Sequence, residues 1–201
     1  MQGIMLIERV IYPISTLGPG ERIVIWTSGC SKKCHNCISQ EMLLPKPEKD
    51  VPMSQLIDFI MKIIKENNVD GITISGGDPL EQPDELLELV SAVNSVCSDI
   101  LVYTGYTLNE LCQILPPLKM QSLKNHIAVL IDGRYIDELN DNATPLIGSI
   151  NQKIHYFDSD LKPRYETYMQ AEIRRIQNVF YRNNIISVGI FNREGMHGKS
   201  K

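Results

Sequence analysis

The chain has 201 residues, a net charge of −4 at pH 7, and 43% hydrophobic against 22% charged residues, the balance of one ordinary globular domain rather than a disordered or fibrous chain. Lys32 and Lys33 stand together, but no long basic run offers a footprint for a phosphate backbone, which argues against a nucleic-acid partner. Residues 1–13 mix Glu8 and Arg9 into an apolar stretch that is too short to span a bilayer and lacks the order of a signal peptide, so a cytoplasmic protein with no membrane partner is expected.

After an N-terminal segment that breaks at Gly18-Pro19-Gly20, residues 22–28 read as a strand rich in Ile, Val and Trp. A cysteine-rich loop follows directly. Ser54 is expected to cap a helix carrying Ile57, Ile60, Met61 and Ile64 at helical spacing, which ends near Asn67-Asn68. A second strand over residues 71–75 runs into Gly76-Gly77-Asp78-Pro79, and a helix from about Pro83 shows Leu86, Leu87, Val90 and Val93 on one face. Residues 100–104 form a third strand, Thr107 to Glu110 is a capping box opening a third helix, and residues 127–131 form a fourth strand ending in Asp132-Gly133-Arg134. Strand and helix alternate, so the expected class is α/β with a mainly parallel sheet. Residues 153–157 read as a further strand, and residues 185–191 with a turn at Asn183-Asn184 predict a closing β-hairpin.

Each strand of this series ends in an unusual loop: the cysteines, Gly76 to Pro79, Tyr103 to Tyr106, and Asp132 to Arg134. Parallel strands bring all four to one edge, where open α/β sheets and barrels place their ligands. Gly76 and Gly77 permit close approach to the backbone, and successive N–H groups there suit an anion. A tight βα turn fits the same residues, and the missing Gly-Lys-Ser/Thr ending argues against a nucleotide P-loop.

Cys30, Cys34 and Cys37 fall within eight residues. Three soft thiolates select zinc or an iron–sulfur cluster, and the absent fourth ligand implies an open coordination position. A zinc knuckle completed by His35 or a distant residue also fits, although no second CxxC or HxxxH half is visible. Cys97 and Cys112 read as small buried hydrophobes. An odd cysteine count concentrated in one loop is a poor disulfide framework and fits a reducing compartment.

The CxxxCxxC spacing, with Ser75-Gly76-Gly77-Asp78-Pro79 one βα unit later, resembles the radical S-adenosylmethionine (SAM) superfamily. Gly18-Pro19-Gly20-Glu21-Arg22, Ser28-Gly29-Cys30, Tyr103-Thr104-Gly105-Tyr106, Asp132-Gly133-Arg134-Tyr135 and Gly148-Ser149-Ile150-Asn151-Gln152 resemble the small activating proteins of anaerobic ribonucleotide reductase. The resemblance covers roughly residues 15–157. It implies a compact partial (β/α) barrel over residues 1–157, with residues 158–201 as a C-terminal extension packed on it; from its terminal position alone, the stretch 195–201 is expected to fray.

The same resemblance implies a [4Fe–4S] cluster on Cys30, Cys34 and Cys37, whose fourth iron is chelated by SAM. Reductive cleavage then gives methionine and a 5′-deoxyadenosyl radical. Gly76, Gly77 and Asp78 are implied to hold the methionyl amino group, mostly through backbone atoms. Thr104 and Asp132 are placed near the carboxylate or ribose, Arg134 is paired with the carboxylate, and His35 and Asn36 flank adenine. Asn36 stands where many superfamily members carry an aromatic residue. The implied partners are a glycyl radical enzyme and an electron donor such as flavodoxin or ferredoxin. A radical SAM enzyme for a small molecule or peptide, and a non-catalytic zinc module, are the competing readings.

Overall fold

A computed structural model of the protein describes residues 3–170 and 173–193. The expected frayed end at 195–201 lies outside the described residues. Seven strands, β1 (Ile4–Ile14), β2 (Arg22–Thr27), β3 (Asp50–Pro52), β4 (Gly71–Gly76), β5 (Ile100–Tyr103), β6 (Val129–Asp132) and β7 (Lys153–Tyr156), form one sheet in the order β3-β1-β2-β4-β5-β6-β7, and a separate hairpin pairs β8 (Ile176–Tyr181) with β9 (Asn184–Gly189). The four central strands are β2, β4, β5 and β6. They are mutually parallel. On one flank β1 and β3 are antiparallel additions, as is β7 on the other. The α/β class therefore stands, with antiparallel edges on a parallel centre.

Near-continuous apolar runs in the central strands follow from burial on both faces. Ile23, Ile25, Ile72, Ile74, Val102 and Leu130 point to one face and pack with α1 (Met53–Glu66), α2 (Pro83–Asn94), α3 (Leu108–Ile114) and α4 (Pro117–His126). On the opposite face, Val24 and Trp26 meet Val188 of the hairpin formed by β8 and β9. Farther along that face, Leu101, Val129 and Ile131 meet Tyr165 of α5 (Lys162–Met169). The chain's last segments thus cover the sheet face that the first four helices leave bare.

The structure corrects several local expectations. Helix α1 begins at Met53 with Pro52 at its N-cap, so Ser54 lies inside the helix and does not cap it. The Met53 N–H instead donates to Gly3 O at 2.9 Å, so tertiary contact supplies the acceptor that an N-cap side chain ordinarily provides. Strand β1 escapes a pattern search because its ladder with β2 shifts register between Ile7 and Arg9, which breaks the period-2 alternation. The Thr107–Glu110 capping box is present, but α3 stops where Leu115 precedes Pro116, because a residue before proline is pushed out of the helical region. Cys97 is buried as expected, whereas Cys112 is exposed, since the short α3 turns Leu108 and Leu111 toward the core and Cys112 away from it. The closing hairpin turns at Arg182 (φ 55°), and Asn184 already pairs in β9.

Candidate functional site

The cysteine loop is anchored before it turns. As β2 ends, the Gly29 N–H donates to Met42 O at 2.8 Å and the Cys30 N–H to Leu43 O at 2.9 Å. Lys33 and Asn36 take left-handed backbone angles (φ 49° and 54°), and the Cys37 N–H closes the turn on Cys34 O at 3.2 Å. All three thiols are free and half-buried. Burial pushes the Cys30 thiol up and the Cys37 thiol up to about 11, so thiolates form there only with a cation to compensate. Among the described residues no three His, Cys, Asp or Glu side chains converge as a single metal ion demands. Three cysteines that each bind a different iron of a cubane need no such convergence. Three soft, free thiols on one anchored loop are the donor chemistry of an iron–sulfur cluster.

The Gly76–Gly77 turn is stitched to that loop backbone to backbone. Gly77 N–H donates to Thr27 O at 2.9 Å and Asp78 N–H to Gly29 O at 2.8 Å. A Cβ on Gly77 would collide with the Gly29 carbonyl, and one on Gly76 (φ 111°) with Thr27 N. The glycines thus serve a close crossing of two loops. This corrects the anion cradle expected from the sequence: its N–H groups of Gly77 and Asp78 are already donated. The turn's carbonyls, with two lone pairs each, are the atoms suited to an ammonium group.

Asp78 is 1% exposed, and its carboxylate is filled from within. Oδ1 accepts from Leu80 N–H (3.0 Å) and Thr104 Oγ1 (2.9 Å), while Oδ2 accepts from Gly105 N–H (2.9 Å) and stands 3.0 Å from Lys32 Nζ. Lys32 also reaches Glu81 Oε1 at 2.7 Å and lies 3.0 Å from the Tyr106 ring centroid. Pattern reading passes over Lys32, because a lysine next to cysteines looks like solvated charge; here its side chain is 2% exposed. It binds the cysteine loop to two of the other strand-end loops.

We expect Asp78→Ala to lower stability by about 1–3 kcal/mol, since Lys32 keeps Glu81 while Thr104 and Gly105 lose their acceptor. Iron uptake should fall with it, and full iron loading at unchanged stability would show that the carboxylate does not hold the loop. Burial opposes ionisation of Glu81, but hydrogen bonds from Lys32 and Ser31 outweigh it and bring the carboxyl down from 4.5 to about 2. A depressed folded-state pKa contributes stability above the unfolded value that is lost as pH falls through the folded one. The stability gap between wild type and Glu81→Gln should therefore shrink from pH 4.5 to about 2 in urea titrations; a constant gap would contradict the pairing.

The fourth loop is also held internally. Asp132 is buried, accepts Leu108 N–H at 2.6 Å and Lys153 N–H at 3.3 Å, and lies 2.9 Å from His155 Nε2. Gln152 Nε2 donates to Gly133 O and Asn151 Nδ2 to Arg134 O, bracing the turn that presents an exposed Arg134. His35 is exposed, and Asn36 Nδ2 donates to Asp137 Oδ2 at 3.1 Å. A cavity of about 160 Å³ opens beside Cys37, walled by Trp26, Ser75, Tyr103, Gln152 and, from the chain's far end, Phe191. The strand-end loops and this cavity occupy the expected edge.

The family described as a 4Fe-4S single cluster domain matches residues 16–155. An anaerobic ribonucleoside-triphosphate reductase-activating protein of Vibrio cholerae is 35% identical over 153 residues, covering 73% of this chain and 95% of the relative. The chain belongs to the iron–sulfur activase family. The proteins of the same name from Escherichia coli K12 and phage T4 are 32% and 29% identical, with 72% of this chain covered in each case and 95% and 90% of the relatives. The activase relatives are thus matched almost end to end, and about a quarter of this chain lies outside the match.

Proposed function

We propose that the protein reductively cleaves SAM and installs a glycyl radical on an anaerobic ribonucleotide reductase-like partner. The observation that carries this reading is the set of three free thiols on a loop locked to the Gly76–Asp78 turn beside a cavity. The activase relatives support it, and the sheet is taken as the superfamily's partial barrel. Cys30, Cys34 and Cys37 would hold a [4Fe–4S] cluster, which when reduced supplies the electron that breaks the sulfonium bond to the 5′ carbon. Carbonyls of Gly76 and Gly77 would receive the methionyl ammonium, while Asp78 and Thr104 hold that turn in place. Arg134 would pair with the carboxylate, Asp132 would keep the Arg134 loop in register, and His35 and Asn36 would border adenine. Enclosure by Trp26, Tyr103 and Phe191 would keep water from the radical. The electron would come from a flavodoxin or ferredoxin in the cytoplasm. Among the described residues no helix is long and apolar enough to cross a membrane.

The covered second sheet face favours one rival, a smaller substrate entering the cavity. The test is anaerobic reconstitution with iron and sulfide, then SAM, dithionite and a class III reductase, reading 5′-deoxyadenosine and the glycyl radical signal. Both products support the activase. Deoxyadenosine without a glycyl radical favours the smaller substrate, and zinc without iron or sulfide in protein purified without oxygen rejects both.

A further inference from the structure

The region beyond residue 157 reaches back to the cysteine loop through a continuous polar chain. Arg193 Nε lies 3.0 Å from Asp137 Oδ2, the same oxygen that accepts from Asn36 between Cys34 and Cys37. Asp137 is 2% exposed, and its other oxygen accepts from Tyr135 OH at 2.7 Å. Tyr135 OH accepts from Asn140 Nδ2 at 3.2 Å. Arg174, with a side chain 3% exposed, donates to Asn140 Oδ1 at 2.7 Å and to Phe191 O at 2.8 Å. Two arginines of the extension therefore grip the 135–141 segment, and the segment between them supplies Gly189, Ile190 and Phe191 to the cavity wall.

The extension lies beyond the family match over residues 16–155. The Asn36 amide between Cys34 and Cys37 is held by a carboxylate. The carboxylate that holds it is itself held by the extension. Asn36 takes a left-handed backbone between the two cysteines, so a bond to its side chain restrains the turn that carries them both.

We propose that the C-terminal extension is a working part of the cofactor site. Residues 189–191 form its outer wall, and Arg193, acting through Asp137, positions Asn36 and with it the cysteine loop. The inference deepens the SAM reading and rests on it for the cofactor, but the hold on the loop is testable without any cofactor. Arg193 is 45% exposed on its side chain, so Arg193→Ala leaves the core untouched, and Asn36→Gly removes the amide while keeping the left-handed turn.

In cluster-free full-length protein, alkylation of Cys34 and Cys37 by iodoacetamide, mapped by mass spectrometry, should speed up about three- to tenfold in both variants, the size of one ordinary net hydrogen bond lost. Arg193→Lys should restore much of the protection. After reconstitution, the dissociation constant for SAM should rise by a similar factor at unchanged iron content. Unchanged alkylation in Arg193→Ala overturns the positioning role. Faster alkylation with unchanged SAM affinity overturns the link to the cofactor. A wild-type protein that takes up iron but binds no SAM defeats the SAM reading, while the alkylation arm still judges the hold on the loop.

Discussion

Cys34→Ala is expected to reduce 5′-deoxyadenosine formation to background. Each cysteine of a three-cysteine site holds a different iron, so two remaining ligands leave a second iron without protein attachment. Folding is not the reason for the loss. The backbone bond from Cys37 N–H to Cys34 O survives the substitution, and the loop stays anchored through Gly29, Cys30 and Lys32. Stability of the cluster-free variant should thus stay within about 0.5 kcal/mol of wild type. Cys112→Ala is the matched control, because that thiol is exposed on α3 and no role is assigned to it. Product formed by Cys34→Ala at the wild-type rate would remove the cluster from this loop.

Arg22→Ala should destabilise the fold by about 3–5 kcal/mol, the cost of removing one partner from a buried ion pair. Arg22 is 0% exposed at the sheet edge opposite the cysteines. Its Nε donates to Thr73 Oγ1 at 2.8 Å, Nη1 to Pro19 O at 3.2 Å, and Nη2 to Ile72 O at 2.8 Å and Asp99 Oδ1 at 3.1 Å. Asp99, 5% exposed, also accepts from Tyr165 OH at 2.6 Å, so the arginine ties β2, β4 and the start of β5 to helix α5. Arg22→Lys should recover only a minor part, because one ammonium cannot serve the directions a planar guanidinium fork serves. Urea denaturation measures both variants. A loss under about 1 kcal/mol for Arg22→Ala would mean that the pair adds little beyond its own desolvation cost.

These two residues show different degrees of legibility. Cys34 announces itself, since three thiols at short spacing are chemically unusual in any chain. Arg22 is visible only as the end of Gly18-Pro19-Gly20-Glu21-Arg22, and nothing local says that an arginine opening an apolar strand is fully buried. Its acceptors lie 50 to 77 residues away, apart from Pro19. Asp78 belongs with Arg22: a carboxylate after two glycines looks like a ligand group, yet the structure fills it with Thr104, Gly105 and Lys32.

By itself the sequence determined the α/β alternation, the carboxyl-end loops and the three thiols, because hydrophobic period, turn chemistry and close cysteine spacing are properties of neighbouring residues. Only the tertiary structure decided that Lys32 is a buried strut, that the Gly77 and Asp78 N–H groups are spent between loops, and that Arg193 stands over Asp137 and Asn36. Those are partnerships across 49 to 101 residues for Glu81 with Lys32 and Asp137 with Asn36. A buried polar group must find a partner, but strand order and register choose which one, and no local period in the chain records that choice.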